Sequence, residues 1–561
     1  MDNLWFIRPA DLEGQGRLSS AFGIEPVTAQ ILINRGFKEV EEVKSFLSPD
    51  LSSLPDPFFL PDMDRAVDRI VSAIKNNERI ALYGDYDVDG ITGVALLMRF
   101  LRKIGHEPLV FIPNRLSEGY GLHRSALETL KSKGASLVIT VDCGVRSKNE
   151  IEFALANGMD VIVTDHHESD ELPAGYILLN PKRPDAGLKE KEIAGCGVAF
   201  FLLTALKKKL GIETDPQEHL DLVALGTIAD VVPLTGINRI FAKFGMEEAR
   251  VSMKPGVRTL INVSGLDGMQ LKTGSVAFRM APRINAAGRM GDAMLSLELL
   301  TTDDAALARE IALNLNKLNS DRQRIEEKAL YEAIEHIERD NFHKRAAIVV
   351  ASENWHAGVI GIVASKLVER YALPAVVIAA AEKRAKGSAR SVGGLNIVEA
   401  LGRCADVLER FGGHAQAAGL VVDTARIDSF RSRFEACCAE VSRSKEARRL
   451  SIDAEVLPKD ISIKLTKEIG MLEPFGLGNP EPVLCVRNLK VASARIVGTN
   501  HLKLKLQATE SGISFDAIGF GLGEKIPQIG QTVAAAFTPQ MNEWNGYELL
   551  QLKIKEISCL K

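Results

Sequence analysis

The densest chemical signal in the chain is Gly84-Asp85-Tyr86-Asp87-Val88-Asp89-Gly90, three carboxylates at alternate positions between two glycines. Carboxylates packed this closely repel one another unless a cation lies among them. The spacing Asp-x-Asp-x-Asp-Gly also opens a calcium EF-hand loop, but that loop needs a bidentate Glu six residues after its glycine, and Leu96 stands there. Further donors recur downstream: Asp142 before Cys143-Gly144, the Asp165-His166-His167 triplet, and Asp230 in Ile228-Ala229-Asp230-Val231-Val232-Pro233. Carboxylate and imidazole donors without thiolate suit Mn²⁺ or Mg²⁺ better than structural zinc. Four or more carboxylates could neutralise two divalent ions, and paired ions about 3.5–4 Å apart assist in-line phosphoryl displacement. This set of residues points to phosphoester hydrolysis.

Most of these donors follow an apolar run of strand length. Arg79 to Tyr83 precedes Asp85, Ser136 to Val141 precedes Asp142, and Asp160 to Val163 leads to Asp165, whereas Asp230 ends an apolar helical stretch. Helical periodicity over Arg65 to Lys75, Ile91 to Ile104 and Lys148 to Asn157 alternates with those runs, which predicts a mostly parallel sheet with helices on both faces. Ligand sites in such sheets lie at the carboxyl ends of the strands, where these donors fall. From Thr302 to Arg339 there is no Gly or Pro, so the stretch reads as one or two long helices. A second α/β unit follows, with strands over Ala346 to Ala351 and Ala375 to Ala380 around a helix from Val359 to Tyr371. Short alternating segments beyond Leu450 (Val483 to Val486, Leu502 to Leu506, Gly512 to Ile518, Thr532 to Phe537, Glu548 to Ile554) predict a small β-barrel. The expected organisation is α/β multidomain: a helical lead-in over 1–65, a parallel-sheet domain over 66–300, a connector helix over 301–345, a smaller α/β domain over 346–450 and a C-terminal barrel over 451–561.

Composition narrows the class without choosing a function. With 46% hydrophobic and 25% charged residues among 561, the chain is neither disordered nor collagen-like. A net charge of −4 offers nucleic acid no bulk attraction, so any such footprint must be local. The apolar runs, such as Leu373 to Ala381, fall short of the roughly 18 residues that span a bilayer. The opening Met1-Asp2-Asn3 lacks a basic segment leading into an apolar block, so no membrane attachment and a cytoplasmic location are expected. Seven cysteines without any Cys-x-x-Cys argue against a disulfide framework or a zinc knuckle.

The strings GDYDVDG, VDCG, TDHH and IADVVPL together resemble the motifs of the DHH phosphoesterase superfamily. Further strings are similar to its RecJ family of single-strand-specific 5′-to-3′ exonucleases. These are IPNR from Ile112 with EGYGL from Glu118, PRINAAGR from Pro282, WHAGVIGIVAS from Trp355 and FGGHAQAAG from Phe411. The resemblance implies a DHH domain, a DHH-associated domain and a terminal OB-fold that binds single strands. It implies Asp87, Asp89, Asp142, His166 and Asp230 as ligands of two divalent ions, Mn or Mg. Asp142 would bridge them, with Asp85 in or next to the ligand set, and His167 would contact the scissile phosphate or orient the ligands.

Substrate contacts are expected from Asn114, Arg115, Arg283, Arg289, His356, Ser388, Arg390, Gly412, Gly413 and His414. Guanidinium forks match phosphate oxygens, glycines let backbone approach a phosphate, and His414 adds a donor. A 5′-phosphate pocket of this kind would set the polarity of digestion, and a narrow cleft between the two α/β lobes would exclude duplex. The implied substrate is single-stranded DNA, the setting recombination and repair, and the partners single-strand-binding protein and a helicase. Two other readings are an oligoribonucleotide or cyclic-dinucleotide phosphodiesterase, which would lack the barrel, and a catalytically silent nucleic-acid-binding scaffold, which would lack part of the acidic and histidine set.

Overall fold

The computed structural model describes residues 5–168, 176–188, 190–213, 215, 217–441, 450–544 and 547–559. The chain forms two compact units. One comprises Asp56–Asp230 and Gly245–Glu446; the other comprises Met1–Pro55, Val231–Phe244 and Ala447–Lys561.

In the first unit, five parallel strands lie in the order Leu109–Phe111, Arg79–Gly84, Ala135–Val141, Asp160–Thr164 and Ile177–Leu179. The central ones are buried almost end to end, which is why they read as continuous apolar runs rather than alternating ones. Tyr83, Val138, Val161 and Val163 belong to one core cluster with Leu127 and Ile151 of the flanking helices. The helix after the first motif runs Val88–Lys103 and starts three residues earlier than its apolar pattern suggests. Asp87 explains the difference: its carboxylate caps the helix, accepting the amides of Asp89 at 2.9 Å and Gly90 at 3.2 Å.

The connector is a single helix, Ala305–Arg339, of 35 residues and hence about 52 Å long. Asp304 caps it through the amides of Ala306 and Leu307. Its buried stripe (Ala308, Ile311, Ala312, Leu315, Asn319, Arg322) keeps three- and four-residue spacing, so one face packs throughout. The second α/β lobe has five strands ordered Arg410–His414, Ala417–Asp423, Arg384–Arg390, Ala375–Ala379 and Ile348–Ser352. Only the last two pair in parallel, and three antiparallel strands extend that edge.

The other unit holds a barrel. Leu484–Val497 pairs with both His501–Ala508 and Thr532–Trp544, and Tyr547–Cys559 joins Thr532–Trp544 to Ser514–Gly519. Its first strand is 14 residues long, far beyond the four apolar residues that announce it. Register shifts at Val486/Leu489 and Val491/Ser493, with Asn488 at φ 56°, break the alternation that the sequence pattern needs. Residues of the N-terminal helices, among them Leu18, Ile31 and Phe46, share a core with the barrel residues Leu489, Leu504 and Phe537. A strand at Trp5–Ile7 pairs in parallel with Leu450–Ile452, a pairing across more than four hundred residues that no local pattern reveals.

Candidate metal centre

The carboxyl ends of the parallel strands gather the acidic and imidazole groups. Asp85 follows the Arg79–Gly84 strand, Asp142 follows Ala135–Val141, and Asp165-His166-His167 follows Asp160–Thr164. Asp230 comes to the same place from the end of the Leu220–Ala229 helix. Three overlapping sets have donor atoms within 4.8 Å of one another: Asp85, Asp87 and Asp142; Asp89, His166 and Asp230; and Asp142, His166 and His167. Asp142 belongs to two of them, and its backbone is held at φ 62°, with its amide bonded to the Thr164 carbonyl at 3.0 Å. Gly90 allows the first turn to close, since a Cβ there would lie 2.6 Å from the Asp85 amide nitrogen and carbonyl oxygen.

The cluster is buried and electrostatically incomplete. Burial, reinforced by neighbouring carboxylates, pushes Asp85, Asp87, Asp142 and Asp230 above the ordinary carboxylate range. Burial likewise pushes the His166 imidazole down. His166 Nε2 lies 3.0 Å from Asp142 Oδ1, 3.6 Å from Asp230 Oδ2 and 3.8 Å from Asp89 Oδ2. The shortest of these lacks hydrogen-bond geometry: Asp142 Oδ1, Asp230 Oδ2, Asp85 Oδ1 and both His166 nitrogens are buried without a hydrogen-bond partner. Orphaned acceptors that converge in a dry site are costly alone. The donor set therefore fits hard divalent cations such as Mn²⁺ or Mg²⁺. Asp89 is the most constrained member, because its oxygens also accept the amides of Gly195 at 2.6 Å and Cys196 at 2.8 Å.

Two residues outside the expected set hold it in place. Asp165 is fully buried and accepts from the amides of Val145 (2.9 Å), His166 (2.7 Å) and His167 (3.1 Å), and from His167 Nδ1 at 2.8 Å. Burial alone would raise its carboxyl, but the bond to His167 and the two imidazole charges hold it at about 2. Burial lowers the His167 imidazole in turn, and the Asp165 carboxylate more than reverses that, leaving it raised. Tyr120 reaches over the site, its hydroxyl 3.1 Å from both the Asp142 carbonyl and His167 Nδ1. Because Nδ1–H is directed to Asp165, the Tyr120 hydroxyl donates to the Asp142 carbonyl, and Nε2 is the His167 nitrogen that these bonds do not use. Both residues lie within strings visible in the sequence.

The expected substrate residues divide into groups. Arg115 stacks over the Tyr86 ring at 4.8 Å. Arg289 is lowered to about 9 by burial and by the charges of Arg115, Arg322 and Arg390. Arg390 donates to Ser388 Oγ at 2.9 Å, and both lie against Gly361 at the start of the Ile360–Tyr371 helix. Gly358 packs against the Arg289 carbonyl, where a Cβ would clash at 2.1 Å, and His356 Nδ1 accepts the Gly358 amide at 3.0 Å. Arg115, Arg289, Ser388 and Arg390 thus converge; Arg322, which no sequence string marked, lies near Arg289 with its guanidinium bonded to Glu326 and Asn319. His356 acts on the backbone of that group.

Arg283 stands apart from them: its guanidinium donates to Asn316 Oδ1 at 3.0 Å and to the Arg279 carbonyl, and its charged neighbour is Arg279. Asn114 shapes its own loop, its side-chain oxygen accepting the amides of Leu116 and Ser117. In the second lobe His414 stacks on His167 with ring centres 5.8 Å apart. Gly413 is required by sheet packing, since at φ 150° a Cβ would meet the Ala417 carbonyl at 2.4 Å, whereas Gly412 is open.

Comparison with known proteins agrees with this architecture. The DHH family N-terminal domain matches residues 79–227, the DHHA1 domain 344–440 and the RecJ OB domain 452–556. The chain is 38% identical to the single-stranded-DNA-specific exonuclease RecJ of Bacillus subtilis (strain 168), over 98% of this chain and 70% of that protein. It is 33% identical to the Escherichia coli (strain K12) protein of the same name, over 95% and 96%. The crystal structure of RecJ in complex with Mn²⁺ from Thermus thermophilus superposes with a TM-score of 0.87 at 33% identity, covering 100% of this chain and 80% of that one. Relatives of this similarity match from the N-terminal helices through the barrel, so the chain belongs to the RecJ family of single-stranded-DNA-specific exonucleases.

Proposed function

We propose that the protein is a metal-dependent exonuclease that degrades single-stranded DNA from the 5′ end to 5′-mononucleotides, in recombination and repair. The observation that carries this reading is the dry cluster of carboxylate and imidazole atoms left without partners, which hard divalent cations complete. Asp85, Asp87, Asp89, Asp142, His166 and Asp230 would hold two such ions, Mn or Mg, with Asp142 shared between them. Divalent ions bound there supply Lewis acidity toward water and toward the phosphoryl oxygens.

The chain's own residues do the rest. Asp165 fixes His167 so that Nε2 faces the scissile phosphate, and Tyr120 secures the Asp142 backbone. Arg115, Arg289, Ser388 and Arg390 converge, and none of the three arginines forms an ion pair among the described residues, an arrangement suited to a 5′-phosphate. Anchoring that end presents the next diester bond to the acidic centre, which gives 5′-to-3′ polarity. The barrel would hold the remaining strand. Recruitment by single-strand-binding protein or a helicase, and a cytoplasmic location, belong to this reading; no helix among the described residues is long and apolar enough to cross a membrane. The oligoribonucleotide or cyclic-dinucleotide reading is not favoured by relatives that match the chain through its barrel, and the complete donor set speaks against a silent scaffold.

End-labelled single-stranded DNA, duplex DNA and short RNA, each with chelator, Mg²⁺ or Mn²⁺, test the reading. Release of labelled mononucleotide from the 5′ end of single-stranded DNA, abolished by chelator and by Asp87→Ala in a folded variant, is expected. Preference for RNA or duplex, or turnover in chelator, would refute it.

A further inference from the structure

Past the edge strand Ile177–Leu179 the chain turns at Asn180-Pro181-Lys182. Asn180 is buried and ties this turn to the histidine motif: Nδ2 donates to the His167 carbonyl at 3.0 Å, and Oδ1 accepts the Lys182 amide at 2.8 Å. The Lys182 ammonium lies 3.0 Å from Glu192 Oε2 and 3.9 Å from Glu168 Oε1. Arg146, exposed, comes from the loop after Asp142 and donates Nε to the Glu168 carbonyl at 2.8 Å. Two cations from separate loops therefore bracket Glu168, the residue directly after His167.

Neither cation is neutralised by a buried carboxylate among the described residues. The Glu168 and Glu192 side chains are 76% and 53% exposed, so the Lys182 pairs are water-screened contacts of the weak kind. Arg146 has no carboxylate partner among the described residues. The bonds of Asn180 to the His167 carbonyl and of Arg146 to the Glu168 carbonyl place both cations beside the histidine motif. Arg115 instead stacks on Tyr86, between Asp85 and Asp87. The acidic centre thus has a guanidinium at its Asp85–Asp87 end and a second cationic group at its His167 end. A strand with its 5′-phosphate in the first group and its scissile diester at the centre must continue past the second.

We propose that Lys182 and Arg146 form a second phosphate clamp, which grips the backbone on the 3′ side of the scissile bond. On binding, a phosphate replaces the exposed carboxylates around Lys182, and Asn180 keeps the clamp in register with His167. The clamp rests on the exonuclease reading above. Its consequence is a preference for substrates longer than a dinucleotide, since a dinucleotide has no phosphate beyond the scissile one.

The test compares a 5′-phosphorylated dinucleotide with a 5′-phosphorylated pentanucleotide in the full-length enzyme with Mn²⁺, for wild type, Lys182→Ala, Lys182→Arg and Arg146→Ala. The ratio of kcat/KM for pentanucleotide over dinucleotide is expected to fall about tenfold in each alanine variant, the scale of one charge-assisted hydrogen bond, and Lys182→Arg to recover most of it. The slope of log affinity against log salt for the longer strand should shrink by about 0.7 per lost contact. Equal losses on both substrates, or an unchanged ratio and slope, would overturn the clamp while leaving the exonuclease reading intact. A wild type that hydrolyses neither oligonucleotide would sink that reading and the clamp with it.

Discussion

Asp165→Asn tests the claim that a buried carboxylate outside the donor cluster organises the centre. The wild-type side chain accepts four hydrogen bonds, three on one oxygen and the Val145 amide on the other. An amide of the same shape can keep the three acceptor contacts only by turning its NH₂ toward the Val145 N–H, a donor facing a donor. Val145 is 3% exposed, so that amide is left unpaired, at a cost to stability of about 1–3 kcal/mol. The bond to His167 survives without its charge. Charge-assisted bonds contribute roughly 1 kcal/mol more than neutral ones, which corresponds to about a five- to tenfold loss in kcat if the His167 orientation acts in the transition state. The assay is single-turnover release of 5′-mononucleotide at saturating Mn²⁺, with a thermal melt in parallel and Asp165→Ala as the more severe variant. The expected order of rates is wild type, then Asn, then Ala. Wild-type kcat in Asp165→Asn, or a lower melting temperature with no kinetic effect, would refute the argument.

Two further outcomes follow from other parts of the first unit. Arg289→Ala should reduce the preference for a 5′-phosphate over a 5′-hydroxyl end by about tenfold or more, because a charge-assisted contact to the phosphate is lost; kcat/KM on the two end chemistries measures it, and an unchanged preference would count against the pocket. Glu218 gives a pH dependence: burial raises its carboxyl, but hydrogen bonds from Lys103 and Lys207 dominate and hold it at about 2. Its folded value lies below the unfolded one of about 4.5, so its contribution to stability is present above that pH and is lost as pH falls toward 2. Melting temperatures at pH 6 and pH 3 should therefore differ less in Glu218→Gln than in wild type.

The donor cluster was legible in the sequence because each carboxylate or imidazole sits at the end of an apolar strand or helix, and strand ends in a parallel sheet share one rim. The same logic explains what was not legible. Arg322 lies in the middle of a 35-residue helix and joins Arg289 only through the packing of that helix. Arg283 is six residues from Arg289 on one helix, so roughly 240° of rotation separates them and only one can face the pocket. Asn114 was expected at the substrate with the rest of the IPNR string, and its side-chain oxygen closes the turn that presents Arg115. The Trp5–Ile7 strand and the bulged first strand of the barrel escaped for another reason: a three-residue strand and an interrupted alternation carry almost no periodic signal.

The two lobes of the first unit meet beside the acidic centre. The connector helix holds them, and two contacts cross between them near the centre: His414 stacks on His167 at 5.8 Å, and Lys386 donates to the Leu116 carbonyl of the loop that carries Arg115 and Tyr120. Both bridging contacts are made by side chains, whereas the donor cluster is carried by the ends of strands and helices. The ties between the lobes therefore act on the histidine motif and on the loop of Arg115 and Tyr120, next to the acidic and imidazole donors rather than among them.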